Sequence, residues 1–176
     1  MLKKIGSWVL DILVILIVVY LITTFVGQRT SVIGDSMRPT LQNGNQVIID
    51  KISYRITDPQ RFDIIVFPYR MNPNQLYIKR IIGMPGDTIY IEDGLIYIND
   101  EPLEEDFGLE EIINPGVASE PITIGQEEYF VIGDNRNNSS DSRFMDVGHI
   151  SKEDIIGRAW LTIWPLEDFG FLRDNN

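Results

Sequence analysis

The feature that most constrains the fold of this chain is an apolar segment near its N-terminus. Residues 8–26 read WVLDILVILIVVYLITTFV and carry one charge, on Asp11. These 19 residues are enough to cross a hydrocarbon core about 30 Å thick as an α-helix. Trp8, at the start of the segment, is typical of a residue at a membrane interface. We therefore predict a transmembrane helix over residues 8–26.

A cleavable signal peptide is the alternative interpretation of this segment. Such a peptide has an apolar region of about 7–15 residues followed by a small-x-small cleavage site. The segment here is longer, and residues 26–29 (VGQR) contain no such site, so a retained helix is favoured. Lys3 and Lys4 precede it, which predicts a single-pass cell-membrane protein with a cytoplasmic N-terminus and the remainder outside. Arg29 opposes this orientation weakly.

Composition excludes several classes of function. The chain has no cysteine, which excludes thiol catalysis, thiolate metal sites and disulfides. Its single histidine makes a histidine-based metal site unfavourable. The net charge of −11 argues against a nucleic-acid partner. The serine–lysine chemistry considered below needs no metal or cofactor.

The pattern after the apolar segment predicts a mainly β fold. Short runs of β-branched and aromatic residues favour strands over 45–50, 62–67, 76–82, 129–132 and 158–164. Residues 88–98 favour a hairpin that turns at residues 92–94, and residues 151–154 a short capped turn. The acidic residues 101–120 are interpreted as a solvated surface excursion.

Catalysis by a serine triad would have to use the only histidine, His149, whose setting in a turn favours a structural role. A serine hydrolase without histidine needs another base, and a lysine can serve if burial lowers its pKa. Lys79 and Arg80 lie side by side in a predicted strand, so their side chains point to opposite faces. From this window alone, an ordinary exposed position for Lys79 is equally consistent with the pattern.

Two polar segments contain candidate partners for Lys79. Ser36 lies in GDSMRPTL, where backbone N–H groups are able to stabilise an oxyanion; the alternative is a simple polar turn. Residues 133–143 read GDNRNNSSDSR and combine hydroxyls with two aspartates and two arginines; the alternative is a hydrophilic hairpin loop.

Together, four segments resemble the conserved boxes of bacterial type I signal peptidases of the single-anchor Gram-positive type. Their order along the chain is GDSMRPTL from Gly34, FDIIVF from Phe62, YIKRIIGMPGD from Tyr77, and GDNRNNSSDSR from Gly133. With the N-terminal apolar segment, the resemblance covers nearly the whole chain. It implies an antiparallel β-sheet catalytic domain in two parts, 29–87 and 129–176, after the tip and anchor (1–28), with a small β insertion at 88–128.

The resemblance implies Ser36 as the nucleophile, with its backbone N–H in the oxyanion hole, and Lys79 as the general base. Ser139 would orient the lysine amine. Structural residues at the site would be Arg80, Asp134, Arg136, Asp141 and Arg143. Side chains that flank the substrate pockets would be Met37, Leu41, Tyr77 and Ile78, although a plain core role is an open alternative for these four.

One position departs from the best-known pattern of this family. Some members carry a serine two residues before the nucleophile, whereas this chain has Gly34, which leaves the second oxyanion donor open. A carboxylate in contact with the Lys79 amine would hold it charged. We therefore expect Asp134 and Asp141 to face Arg136, Arg143 or backbone donors.

The implied function is membrane-bound serine endopeptidase action on exported preproteins, removing signal peptides that end in small residues, at the surface of the lipid bilayer. The alternative from another class is a catalytically inactive, membrane-tethered β-domain that acts as a binding or assembly module. A self-cleaving regulator of related fold is a further alternative, which the predicted anchor and the lack of a DNA-binding region disfavour.

Overall fold

The computed structural model describes residues 8, 10–17, 27–108 and 110–172. Residues 10–17 are helical, within the segment for which a transmembrane helix is predicted. The rest of that segment, Val9 and residues 18–26, lies outside the described residues, as do Lys3 and Lys4. Among the helices of the described ranges, none is both long and apolar enough to span a bilayer. The transmembrane helix therefore stays a prediction.

The main sheet contains eight strands in the described ranges, and all its pairings are antiparallel. Numbered along the chain and given in sheet order, they are β1 (Gly27–Ser31), β2 (Gln46–Asp50), β11 (Gly157–Trp164), β3 (Ile64–Tyr69), β4 (Asn72–Gly83), β9 (Glu128–Ile132) and β10 (Ile150–Ser151), with β12 (Gly170–Phe171) paired to β11. The predicted mainly β, antiparallel fold is confirmed.

A second, four-stranded sheet forms between residues 88 and 123, inside the predicted insertion. Its order is β7 (Glu101–Pro102), β6 (Leu95–Ile98), β5 (Thr88–Glu92) and β8 (Ile122–Thr123). The β5–β6 hairpin turns at Asp93 and Gly94, whose φ angles of 49° and 79° suit a two-residue turn with positive φ at both positions. The hairpin predicted from the sequence is therefore present.

Four 3₁₀ helices complete the described ranges: Ser53–Arg55, Gly116–Ser119, Lys152–Asp154 and Leu166–Asp168. The third corresponds to the predicted turn at 151–154. The capping interaction is absent, since the Ser151 side chain makes no cap hydrogen bond.

The hydrophobic core is continuous between the two sheets. Strand β9 is almost entirely buried because sheet residues cover it on both faces, whereas β2 alternates buried and half-buried residues. Ile82 of β4 and Phe130 of β9 pack in one cluster with Ile89 and Ile96 of the small sheet. Each such side chain contributes about 1.5–3 kcal/mol when fully buried. This packing supports the strands on which the candidate site is built.

Strand β1 was not predicted from the sequence. Its residues, GQRTS, are polar and mostly exposed, with no apolar alternation. It forms through backbone pairing with β2, with Arg29 opposite Ile48. An edge strand can consist of such residues because its outer side faces solvent.

The interpretation of residues 101–120 as a solvated excursion was wrong for part of the segment. Phe107, Ile112 and Ala118 are buried there. Glu105 also forms an ion pair with the buried Arg136, so this acidic residue is drawn into the structure by a cation distant in sequence.

Candidate active site

Ser36 lies in the turn of residues 34–40 that follows β1, and it is half-buried. The Leu41 N–H donates to the Met37 carbonyl at 2.8 Å, and both side chains are buried in the core. Gly34 has φ = +95°, a conformation that glycine adopts without a steric penalty. The two buried side chains hold the turn against the sheet and so fix the backbone from which the Ser36 hydroxyl projects.

The loop that begins at Gly133 packs directly against this turn. The Asn135 N–H donates to the Ser36 carbonyl at 3.0 Å, and the Asn135 side-chain amide donates to the Asp35 carbonyl at 3.0 Å. A Cβ at Gly133 would lie 2.5 Å from the Ser36 oxygen and 2.3 Å from Ser139 Oγ. Only glycine therefore permits this close approach.

Lys79 is brought to the serine by β4, where it is paired with Ile65 of β3. Its side chain is buried, with 4% exposure. The amine Nζ donates to Ser36 Oγ at 2.8 Å and to the Ile78 carbonyl at 3.0 Å. It also lies 4.9 Å from the centroid of the Tyr77 ring. The structure thus excludes the exposed position that the sequence left open for Lys79.

Burial changes the acid–base behaviour of Lys79. It lowers the pKa of the amine from the ordinary 10.5 to about 8, because the charged form loses hydration. The negative charges of Asp141 and Asp134 oppose this shift and raise the pKa in part. A substantial fraction of the lysine is therefore neutral in mildly alkaline solution and able to accept a proton.

Neither of these aspartates contacts the lysine amine. Arg143 donates to both oxygens of Asp141, at 2.8 and 2.9 Å, and the Gly133 N–H adds a bond at 3.1 Å. Arg80 donates to both oxygens of Asp134, at 2.8 and 2.7 Å. The expected partner of Asp141 is therefore found, whereas Asp134 pairs with Arg80 instead of Arg136 or Arg143. The reason is position: β4 directs Arg80 to the face opposite Lys79, where it reaches Asp134.

Arg136 and Arg143 hold the loop of residues 133–143 to the segment that connects β7 and β8 of the small sheet. Arg136 Nη2 donates to Glu105 at 2.8 Å. Arg143 donates to the Arg136 carbonyl at 2.6 Å and to the Asn114 carbonyl at 3.2 Å. These buried charge-assisted bonds restrain the loop that packs on Ser36.

Ser139 lies close to the site without bonding to it. Its hydroxyl is buried and makes no hydrogen bond with any described residue. Its predicted contact with the Lys79 amine is therefore not formed in this structure, and its role in orienting the lysine stays a prediction.

An open groove of about 660 Å³ leads to the Ser36–Lys79 pair. Residues 30–37 line it on one side and residues 74–79 on the other, with Asn138 and Ser140 contributed by the loop. Among the predicted substrate-flanking residues, those that line the groove are Met37, Tyr77 and Ile78. Leu41 does not: it is fully buried in the core and anchors the serine turn.

His149 is held elsewhere in the structure. Its Nδ1 lies 3.0 Å from a carboxylate oxygen of Glu128, and its ring packs edge-on against Phe130. Neither Ser36 nor Lys79 is among its partners. This placement agrees with the structural role predicted for it.

Several site residues were missed in the sequence. Thr40 donates to Asp134 at 2.5 Å, and Phe107 stacks on the Arg80 guanidinium with 3.5 Å between the Arg80 Cζ and the ring centroid. Thr40 belongs to the GDSMRPTL box, and Ser140 follows Ser139 in the last box, so their positions were available signals. Phe107 lies in the acidic segment of residues 101–120, and no sequence pattern marked it as a residue of the site.

An antiparallel β fold that opens a groove beside a serine hydroxyl and a buried lysine amine is suited to a serine peptidase. Comparison with known families agrees: residues 5–164 match the family described as signal peptidase, peptidase S26. Because the match covers most of the chain, the protein belongs to this family of serine endopeptidases, whose task is the removal of signal peptides.

Individual relatives carry the same description. The chain is 38% identical over 159 residues to a probable signal peptidase I-2 of Synechocystis sp., covering 88% of this chain and 71% of that protein. It is 39% identical over 158 residues to signal peptidase I of Leptolyngbya laminosa, covering 86% and 75%. It is 36% identical over 173 residues to signal peptidase I P of Bacillus subtilis subsp. natto, covering 94% and 92%. None of these relatives supports the alternative of an inactive binding module.

Proposed function

We propose that the chain cleaves signal peptides from exported preproteins, with Ser36 as the nucleophile and Lys79 as the general base. One observation carries the proposal: the Lys79 amine donates to Ser36 Oγ at 2.8 Å while burial lowers its pKa to about 8. A neutral amine at this distance is able to take the hydroxyl proton directly.

Acylation begins when Ser36 Oγ attacks the scissile carbonyl carbon and its proton passes to Lys79 Nζ. The resulting tetrahedral intermediate carries a negative oxygen, for which the Ser36 backbone N–H is a donor. That N–H makes no hydrogen bond within the described ranges, so it is available to the oxyanion. Lys79 then returns its proton to the departing amine, the C–N bond breaks, and the mature protein leaves.

Deacylation repeats these proton transfers with water. A water molecule attacks the ester carbonyl through its oxygen while Lys79 Nζ accepts one of its protons. Collapse of the second tetrahedral intermediate breaks the bond to Ser36 Oγ, which regains its proton from Lys79, and the signal peptide is released as a free acid. The proton balance closes without a further group.

The groove suits a substrate in extended form. Strand β1 pairs only with β2, and residues 72–78 of β4 pair only with β3, so each offers a free edge within the described residues. Both edges line the groove. An extended peptide laid between them would make backbone hydrogen bonds, with its side chains entering pockets beside Met37, Tyr77 and Ile78. We propose substrates with small residues before the cut, commonly Ala-x-Ala.

The proposed topology is a single membrane span at residues 8–26, with the N-terminus in the cytoplasm and the catalytic part outside. It is supported by the apolar run and by Lys3 and Lys4 before it. Protease added to intact cells stripped of their wall should digest the catalytic part. Full protection until the cells are lysed would mean that the orientation is reversed.

Activity is expected to rise with pH through about 8. Lys79 acts as a base only after losing its proton, so kcat/KM should increase about tenfold per pH unit well below the lowered pKa and level off above it. The measurement is preprotein cleavage by the full chain in detergent between pH 6 and 10. Activity that declines over this range, or a midpoint near the ordinary 10.5, would contradict a buried lysine base.

A further inference from the structure

Tyr77, which lines the groove two residues before Lys79, is fixed by neighbouring aromatic rings. It lies opposite Phe67 in the β3–β4 pair, and their rings meet edge-on at a centroid distance of 6.2 Å. On its other side the Tyr69 ring stacks on it at 4.5 Å with an interplanar angle of 6°. Contacts of these two kinds are preferred geometries for aromatic pairs, so the position of the Tyr77 ring depends on where the Tyr69 ring is held.

Tyr69 is itself tied to a different part of the chain. Its hydroxyl donates to Asp146 at 2.8 Å, and Asp146 also accepts a weaker bond from Ser140 Oγ at 3.4 Å. Asp146 lies in a turn closed by the Val147 and Gly148 N–H groups, which both donate to the Phe144 carbonyl. The aspartate therefore ties the end of the β3–β4 hairpin to this turn.

This arrangement connects two walls of the groove. Tyr77 lines it from β4 and Ser140 lines it from the loop, and both connect to Asp146, the first through Tyr69. We propose that Tyr69 and Asp146 are positioning residues that hold the Tyr77 ring and thereby set the size of the substrate side chain accepted beside Ser36. The inference rests on the proposed function and adds to it a determinant of selectivity.

The hydrogen bond between Tyr69 and Asp146 persists at the pH at which Lys79 is neutral and acts as a base. The hydrogen bond to Asp146 and partial burial raise the pKa of the Tyr69 hydroxyl, so it keeps its proton while Lys79 loses its own. A fixed wall excludes a larger side chain because the ring does not move aside. One added methylene in a rigid pocket changes kcat/KM by about 10–200-fold, and a mobile wall reduces this discrimination.

The test compares two preproteins that differ only in alanine or valine immediately before the cut. For the full chain in detergent, Tyr69→Phe keeps the ring stack but removes the donor, and it should lower the alanine-over-valine ratio of kcat/KM about fivefold. Asp146→Ala, at an exposed position, should do the same. Asp146→Asn retains an acceptor for the Tyr69 hydroxyl and should restore most of the ratio.

The matched control is Tyr90→Phe, because Tyr90 and Tyr97 form an equally well-stacked pair, 4.7 Å apart, in the small sheet. The alanine-over-valine ratio of kcat/KM for Tyr90→Phe should equal that of the wild type. A ratio within twofold of the wild type in both Tyr69→Phe and Asp146→Ala would overturn the inference, as would an equal fall of both rates. Loss of all cleavage in Ser36→Ala alongside that result would leave the proposed function intact, so the two failures are distinguishable.

Discussion

Preprotein cleavage by the Ser36→Ala variant is expected to fall by about 10⁴-fold or more. The hydroxyl oxygen, 2.8 Å from the Lys79 amine, is the atom that forms the acyl-enzyme in the proposed mechanism, and alanine removes it without adding volume. Activity is followed by release of the mature protein from a preprotein with alanine before the cut. The fold should persist, because Ser36 is half-buried and its turn is anchored by Met37 and Leu41.

The matched control for this variant is Ser119→Ala. Ser119 is an exposed serine at the end of a 3₁₀ helix in the connecting segment of the small sheet, remote from the groove. Its variant should cleave at the wild-type rate. Substantial cleavage by folded Ser36→Ala protein would remove Ser36 as the nucleophile and would require another serine in that role.

Lys79→Arg should likewise reduce the rate of cleavage by about 10³-fold or more, although the charge and approximate length of the side chain are kept. A guanidinium remains protonated at any working pH, so it cannot accept the Ser36 proton. The measurement is again preprotein cleavage, at pH 7 and at pH 9, because a lysine base gains activity over this interval and arginine does not. Near-normal turnover by folded Lys79→Arg protein would contradict the mechanism.

Lys79→Met separates the loss of the base from a loss of folding. Methionine fills a similar volume without a charge. The pKa of Lys79 is lowered in the folded state, so below about pH 8 the buried ammonium destabilises the wild type. The inactive Lys79→Met variant should therefore have a free energy of unfolding higher by about 3 kcal/mol at pH 7.

The pH dependence of this difference in unfolding free energy tests whether the buried Lys79 ammonium causes it. Between pH 8 and 10.5 the unfolded chain binds the lysine proton while the folded protein does not, so wild-type stability rises relative to the variant. The difference in unfolding free energy should vanish above about pH 10.5.

His149→Ala serves as the activity control for the Ser36 and Lys79 variants. His149 contacts Glu128 and Phe130, away from the Ser36–Lys79 pair, so the variant should keep most of the cleavage rate.

Local sequence patterns were sufficient for much of this protein. Alternating β-branched and aromatic residues predicted β2, β5, β6 and β11, because burial on one face of a sheet repeats every second residue. Residues 92–94 predicted the hairpin turn, and within them Asp93 and Gly94 adopt the positive φ that few residues adopt at low cost. Ser36 and Lys79 were candidates from their local sequence, and the resemblance of their boxes to those of signal peptidases implied their catalytic roles; both boxes are continuous in sequence.

What the sequence left open depends on side chains that meet across the fold. Lys79 reaches Ser36 over a separation of 43 residues, and its burial follows from packing around both. Asp134 takes Arg80 as its partner over 54 residues because the strand directs that guanidinium away from Lys79. The boxes thus supplied Ser36 and Lys79 as candidate catalytic residues, whereas the tertiary structure alone decided which charges are paired and which amine is dehydrated, since both depend on distances that no local pattern encodes.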